Sequence, residues 1–197
     1  MSLRRIALFG GTFDPPHIGH LVVANEVRVV GGFDEVILMV ANDPWQKSSK
    51  RTVSPAAVRL EMVQAAVAGH DGLVAGDAEI RRGGASYTVD TIEALTAEQP
   101  DAVVSVVVGD DAARSLDTWH RSEDLARSTE VVVVGRPGAP DVVATPGWNL
   151  RRIEVPQLDI SSTEIRRRAG SNGPIDFLVP ERVVSTIAAR GLYGFGS

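Results

Sequence analysis

Gly10-Gly11-Thr12-Phe13-Asp14-Pro15-Pro16-His17-Ile18-Gly19-His20 decides how this chain folds, because it sets a glycine turn between a strand and a helix. Upstream, residues 3–9 form a short apolar run that reads as a strand, and downstream residues 21–30 are apolar enough for a buried helix. The glycines therefore fall at a strand-to-helix switch. There Gly10 and Gly11 let bare backbone amides approach a ligand, and the helix turns its positive N-terminal end toward negative charge. His17 and His20 are three apart and share a helical face, so both imidazoles can turn toward the same group. This combination suits a polyphosphate.

The segment is neither of two better-known phosphate loops. It has no GxxxxGK[ST], and it does not fit GxGxxG. The chain has four histidines and no cysteine, and His70 and His120 lie far away in sequence. Metal ligation by His17 and His20 would need a third ligand such as Asp14, since zinc sites usually gather three or four. A purely structural role for the pair is the other alternative.

Outward from this turn, apolar runs without polar alternation fall at residues 6–9, 36–40, 103–108 and 131–134, with weaker ones at 73–75 and 152–155. Such runs indicate parallel strands buried on both faces. Helical patterns at 17–30, 55–68, 87–97 and 122–127 separate them, and the alternation predicts an α/β fold with a doubly wound parallel sheet. Two helices in succession, over 163–169 and 180–190, are expected to form a C-terminal helical extension of the same domain, which spans 1–197. Ser161 and Glu164 have capping-box spacing at the first, and Pro180 and Gly191 bracket the second. Residues 137–147 read as a surface excursion, and 42–54 as a long loop of the kind that is often functional.

At 197 residues and 21.0 kDa, one domain with a full core is expected. The net charge of -5 argues against a nucleic-acid surface, whereas a small phosphorylated substrate needs only local cations. Those stand at Lys47, Lys50 and Arg51, and again at Arg166, Arg167 and Arg168. No apolar run approaches the roughly 20 residues that span a bilayer, and the first residues lack a signal-peptide core. A soluble, cytoplasmic protein without membrane partners is expected.

Ser161-Ser162-Thr163 could be a helix cap alone. Its hydroxyls, the amides of the helix start and Arg166 one turn on would also make a second anion site. Three consecutive arginines cannot share one helical face, so Arg167 and Arg168 are read as solvated. Gly109-Asp110-Asp111 ends a strand at the carboxyl edge where open α/β sheets bind ligands, with Asp110 or Asp111 as a helix cap in the simpler reading. Trp119 sits among polar neighbours in Ser115-Leu116-Asp117-Thr118-Trp119-His120.

The eleven-residue segment and Ile160-Ser161-Ser162-Thr163-Glu164-Ile165-Arg166 together resemble the T/HxGH nucleotidylyltransferases, in the GTFDPxHxGH form typical of bacterial nicotinate-nucleotide adenylyltransferases. The resemblance implies a Rossmann-like fold and transfer of the adenylyl group of ATP to nicotinate mononucleotide. It implies that His17, His20, Lys47 and Arg166 carry catalysis. It places ATP at Gly10, Gly11, Thr12, Phe13, His20, Asp111, Arg136, Ser161, Ser162, Thr163 and Arg166, and the acceptor at Thr12, His17, Ser86, Tyr87, Thr88 and Trp119. Magnesium is expected to bridge ATP oxygens rather than sit in a protein cage. One segment departs from the family pattern: Trp45 and Gln46 stand where proline and histidine are usual, while Lys47 keeps the match. Association with copies of itself is left open. A sister transferase with another acceptor, such as nicotinamide mononucleotide, and a nucleotide-sensing regulator without turnover are the rival readings.

Overall fold

A computed structural model describes residues 3–43, 53–135, 138 and 147–196. Six parallel strands form one sheet in the order β3-β2-β1-β4-β5-β6. They are β1 Arg4–Gly11, β2 Glu35–Val40, β3 Leu73–Gly76, β4 Ala102–Gly109, β5 Glu130–Gly135 and β6 Asn149–Glu154. The longer helices are α1 Ile18–Gly31, α2 Ala56–Val67, α4 Thr88–Glu98, α6 Ser122–Ser128, α7 Ser162–Ala169 and α8 Glu181–Ala189. Two short ones, α3 Ala78–Arg82 and α5 Asp110–Ala113, were not visible as patterns in the sequence.

The two-residue period of each strand sorts its side chains between two cores. Ala7, Val36, Leu38, Val40, Val107, Val132 and Val134 face one side, where α1, α2, α7 and α8 cover them. Ile6, Leu8, Ile37, Met39, Val106, Val108, Val131 and Val133 face the other, under α4 and α6. Register is consistent across the sheet: Leu8 lies opposite Ile37 on one side and Val106 on the other, and Val106 lies opposite Val131. Burial on both faces is what made these strands continuous apolar runs.

The glycines fall differently from the sequence expectation. Gly10 and Gly11 continue β1, opposite Met39 and Val40, so the turn itself spans residues 12–17. A side chain at Gly11 would stand 2.7 Å from the Phe13 ring. Phe13, at φ 46, folds its ring back over the strand end, and this close approach requires glycine there.

Candidate active site

The strand order reverses between β1 and β4, and ligands of open α/β sheets bind beyond the carboxyl ends at such a point. Past β1, Thr12, Asp14 and His17 are buried, at 8%, 1% and 8% exposure. His17 is the N-cap of α1 and His20 its third residue. Both imidazoles line one cleft, although His17 stands at the cap and not within the helix. They stack, with centroids 3.6 Å apart, and the His17 backbone N–H donates to His20 Nδ1 at 3.1 Å. With Nδ1 accepting, the proton of a neutral His20 sits on Nε2, which makes that nitrogen a donor. Edge-on contact with Phe13 at 5.0 Å fixes the ring further. Burial pushes His17 down to about 4, so it is neutral at neutral pH.

Helix α7 docks directly on this turn. Ser162 Oγ donates to the Pro15 carbonyl at 2.8 Å, and Arg166 Nη1 donates to the Asp14 carbonyl at 2.6 Å. Arg166 Nη2 also donates to Thr163 Oγ1 at 3.1 Å. Ser161 caps the helix by accepting from the Glu164 N–H at 3.2 Å. The second half of the expected capping box is replaced, because Glu164 receives Arg167 and Arg168 instead, and their hydrogen bonds hold its carboxyl at about 2. Arg167 and Arg168 are thus spent on the exposed flank, as their positions suggested.

Between the turn and α7 lies a cleft of about 430 Å³. One wall is Phe9 to Asp14 with His17 and His20, and the other is Ile160 to Thr163 with Arg166. Two helix N-termini therefore open on one space with hydroxyls, an imidazole donor and a guanidinium, which is a donor set for phosphate oxygens. Asp14, the third ligand that a metal reading requires, receives Tyr193 Oη at 2.7 Å and Ser54 N–H at 3.3 Å. Among the described residues no three His, Asp or Glu side chains are grouped to hold a metal ion. Nor is any described helix long and apolar enough to cross a membrane.

Ser86, Tyr87, Thr88, Trp119 and Asp111 do not line this cleft. The structure nevertheless gathers four of them. Tyr87 stacks on His120 with centroids 4.2 Å apart, and Tyr87 and half-buried Trp119 pack on the same core. Thr88 opens α4 beside them. Ser86 is not a helix cap; its Oγ accepts from Asn42 N–H at 2.9 Å, and neighbouring Ala41 N–H donates to the Gly11 carbonyl. Ser86 and the segment that follows it are so linked, through the end of β2, to the end of β1. Asp110 and Asp111 are not caps either, since Gly109 occupies that place. Asp110 pairs with Arg152 of β6 at 2.8 Å, while Asp111 is exposed and pairs with Arg114. Lys47 and Arg136, with Trp45 and Gln46, lie outside the described residues.

Two residues at the site escaped the sequence reading. Arg59 is 1% exposed and Tyr193 reaches Asp14 across the chain. Arg59 did leave a signal: it begins the stripe Arg59, Met62, Val63, Ala66, Val67 that α2 buries, so a charge sits where the period demands an apolar side chain. Tyr193 left none.

The model of the cytidylyltransferase-like family matches residues 8–168. The probable nicotinate-nucleotide adenylyltransferase of Frankia casuarinae is 42% identical over 187 residues, covering 93% of this chain and 97% of its own. That of Mycolicibacterium vanbaalenii is 40% identical over 198 residues, covering 96% and 92%. Among solved structures, the nicotinic acid mononucleotide adenylyltransferase of Plasmodium falciparum complexed with NaAD superposes with a TM-score of 0.77 over 98% of both chains, at 17% identity, a likeness of fold. The matched span runs from within β1 to within α7 and so takes in both walls of the cleft, and with identity this high along almost the whole length, the chain belongs to the nicotinate-nucleotide adenylyltransferase family.

Proposed function

We propose that this protein transfers the adenylyl group of ATP to nicotinate mononucleotide, giving nicotinate adenine dinucleotide and pyrophosphate. The observation that carries the reading is the cleft in which α1 and α7 direct their N-termini, His20 and Arg166 at one space, in a chain 42% and 40% identical to two probable nicotinate-nucleotide adenylyltransferases. An oxygen of the acceptor's phosphate attacks the α-phosphorus of ATP, in line with the departing pyrophosphate. That phosphate is already a competent nucleophile, so positioning and charge stabilisation suffice. His20 and neutral His17 donate to phosphate oxygens, and Arg166 and the amides and hydroxyls of Ser161 to Thr163 hold the triphosphate. Lys47, Asp111 and Arg136 are assigned to ATP by their place in the family motifs. Magnesium would be held by the phosphates of ATP rather than by side chains of this chain, and would supply neutralisation of their charge.

On the acceptor side, Trp119 stacks on the pyridine ring and the segment Ser86 to Thr88 receives its carboxylate. A nicotinamide would turn an NH₂ toward those donors and leave them unpaired, and sites of that kind reject such analogues by large factors. In an acceptor panel with ATP and magnesium, nicotinate mononucleotide is expected to exceed nicotinamide mononucleotide by at least about a hundredfold in kcat/KM. Trp119→Ala should impair use of the acceptor while leaving ATP binding nearly intact. Equal efficiency with both mononucleotides would defeat the acceptor assignment, and no pyrophosphate release with any acceptor would defeat the transferase.

A further inference from the structure

The guanidinium of Arg59 is buried at 1% exposure on the inner stripe of α2. Three of its hydrogen bonds go to main-chain carbonyls in three separate stretches. Nε donates to Ser54 at 2.8 Å, Nη1 to Thr12 at 2.9 Å and Nη2 to Asn42 at 3.1 Å. A buried cation is costly unless its donors are satisfied, so each carbonyl is held where the planar fork places it. Thr12 is part of the cleft wall, and Asn42 donates from its own N–H to Ser86 on the acceptor side. Arg59 therefore stands behind both halves of the site and fixes the distance between the ends of β1 and β2 that carry them.

We propose that Arg59 is a positioning residue for adenylyl transfer, setting the spacing between the phosphate cleft and the acceptor-side segment while touching neither substrate. The proposal rests on the function given above. In-line attack needs its reacting atoms within about 3–3.5 Å, and displacement by 1 Å costs roughly a hundredfold in rate. A residue that only stabilises the fold would lower the melting temperature and the active fraction together. A positioning residue lowers kcat in protein that is fully folded.

Arg59→Lys keeps the charge but concentrates its donors at one point, and Arg59→Met keeps the length without donors. In folded Arg59→Lys, amide exchange over residues 10–14 and 40–43 is expected to quicken by about tenfold or more, while exchange in the centre of β4 stays unchanged. Its kcat should fall about tenfold or more with the KM for ATP within about threefold of the parent value, and Arg59→Met should lose more than Arg59→Lys. Unchanged or uniformly faster exchange would overturn the proposal, as would a normal kcat in folded Arg59→Lys. Failure of both variants to fold would assign Arg59 to stability alone and overturn it as well. Exchange needs no turnover, so a parent chain inactive with every acceptor would refute the proposed function and leave the exchange result to judge the spacing role.

Discussion

His17 is a histidine that folding keeps from its proton. Its ordinary value of 6.5 falls to about 4 on burial, so between those pH values the unfolded chain binds a proton that the folded chain refuses. Its contribution is fully present above about 6.5 and is lost as pH falls toward 4, with an upper bound of about 3 kcal/mol. Thermal melts of the parent from pH 7 to 4 should show this loss, and His17→Gln should flatten that part of the curve. An identical slope in the variant would place the acid sensitivity elsewhere. In the reaction proposed above, the same ring and its stacked partner are assigned as donors to phosphates. Replacing either His17 or His20 by Ala should lower kcat by about 10²–10³ with far smaller effects on substrate binding, the range typical of one lost donor. Steady-state kinetics on folded variants would decide this, and near-normal kcat would remove that histidine from the chemistry.

At the scale of elements, the end of β1 and the turn after it are tightly interlocked. Gly11→Ala would drive a methyl into the Phe13 ring, which already packs edge-on against Phe9 at 5.8 Å and against His20. Overpacking of this kind costs about 1–3 kcal/mol, and displacement of the ring would carry His20 with it. Urea unfolding and kcat should therefore fall together in this variant, whereas Gly10→Ala, with no atom within 4 Å of the added methyl, should keep its stability. Equal stability losses at the two glycines would contradict this picture.

The six strands were legible because β1, β2, β4 and β5 bury both faces and need no alternation. Edge strand β6 was faint for the opposite reason: Arg151 and Arg152 use it to reach Gly31 and Asp110. The exact end of β1 and the cap at Gly109 differ from the sequence expectation because a turn, a cap and a strand end share the same small polar residues. Their roles are set by neighbours such as Val40 that sequence does not bring near. In the site, the histidines, Ser161 to Thr163 and Arg166 could be read from two motifs. Arg59 and Tyr193 could not, since their partners are backbone carbonyls in three separate stretches, up to 47 residues away, and a carboxylate 179 residues away.

At the scale of the molecule, the C-terminal turn Leu192–Gly194 closes the structure on its first turn, with Tyr193 donating to Asp14 just before α1. Burial and the Asp14 carboxylate push the tyrosine hydroxyl well above its ordinary 10, so it remains a donor at every working pH. Tyr193→Phe removes this donor from a buried carboxylate and should cost about 1–3 kcal/mol in urea unfolding, with a smaller loss at the exposed Ser171→Ala used as comparison. A variant as stable as the parent would show that Asp14 is held well enough by its other partners.

The same hydrogen bond joins residues 179 apart, and this has a bearing on how the protein is made. On a ribosome adding about 5–20 residues per second, the aspartate emerges on the order of ten seconds or more before the tyrosine that steadies it. The cleft between the first turn and α7 is therefore among the last parts of a nascent chain to mature, and a chain stalled short of residue 193 carries the whole sheet without the clasp that completes its first turn.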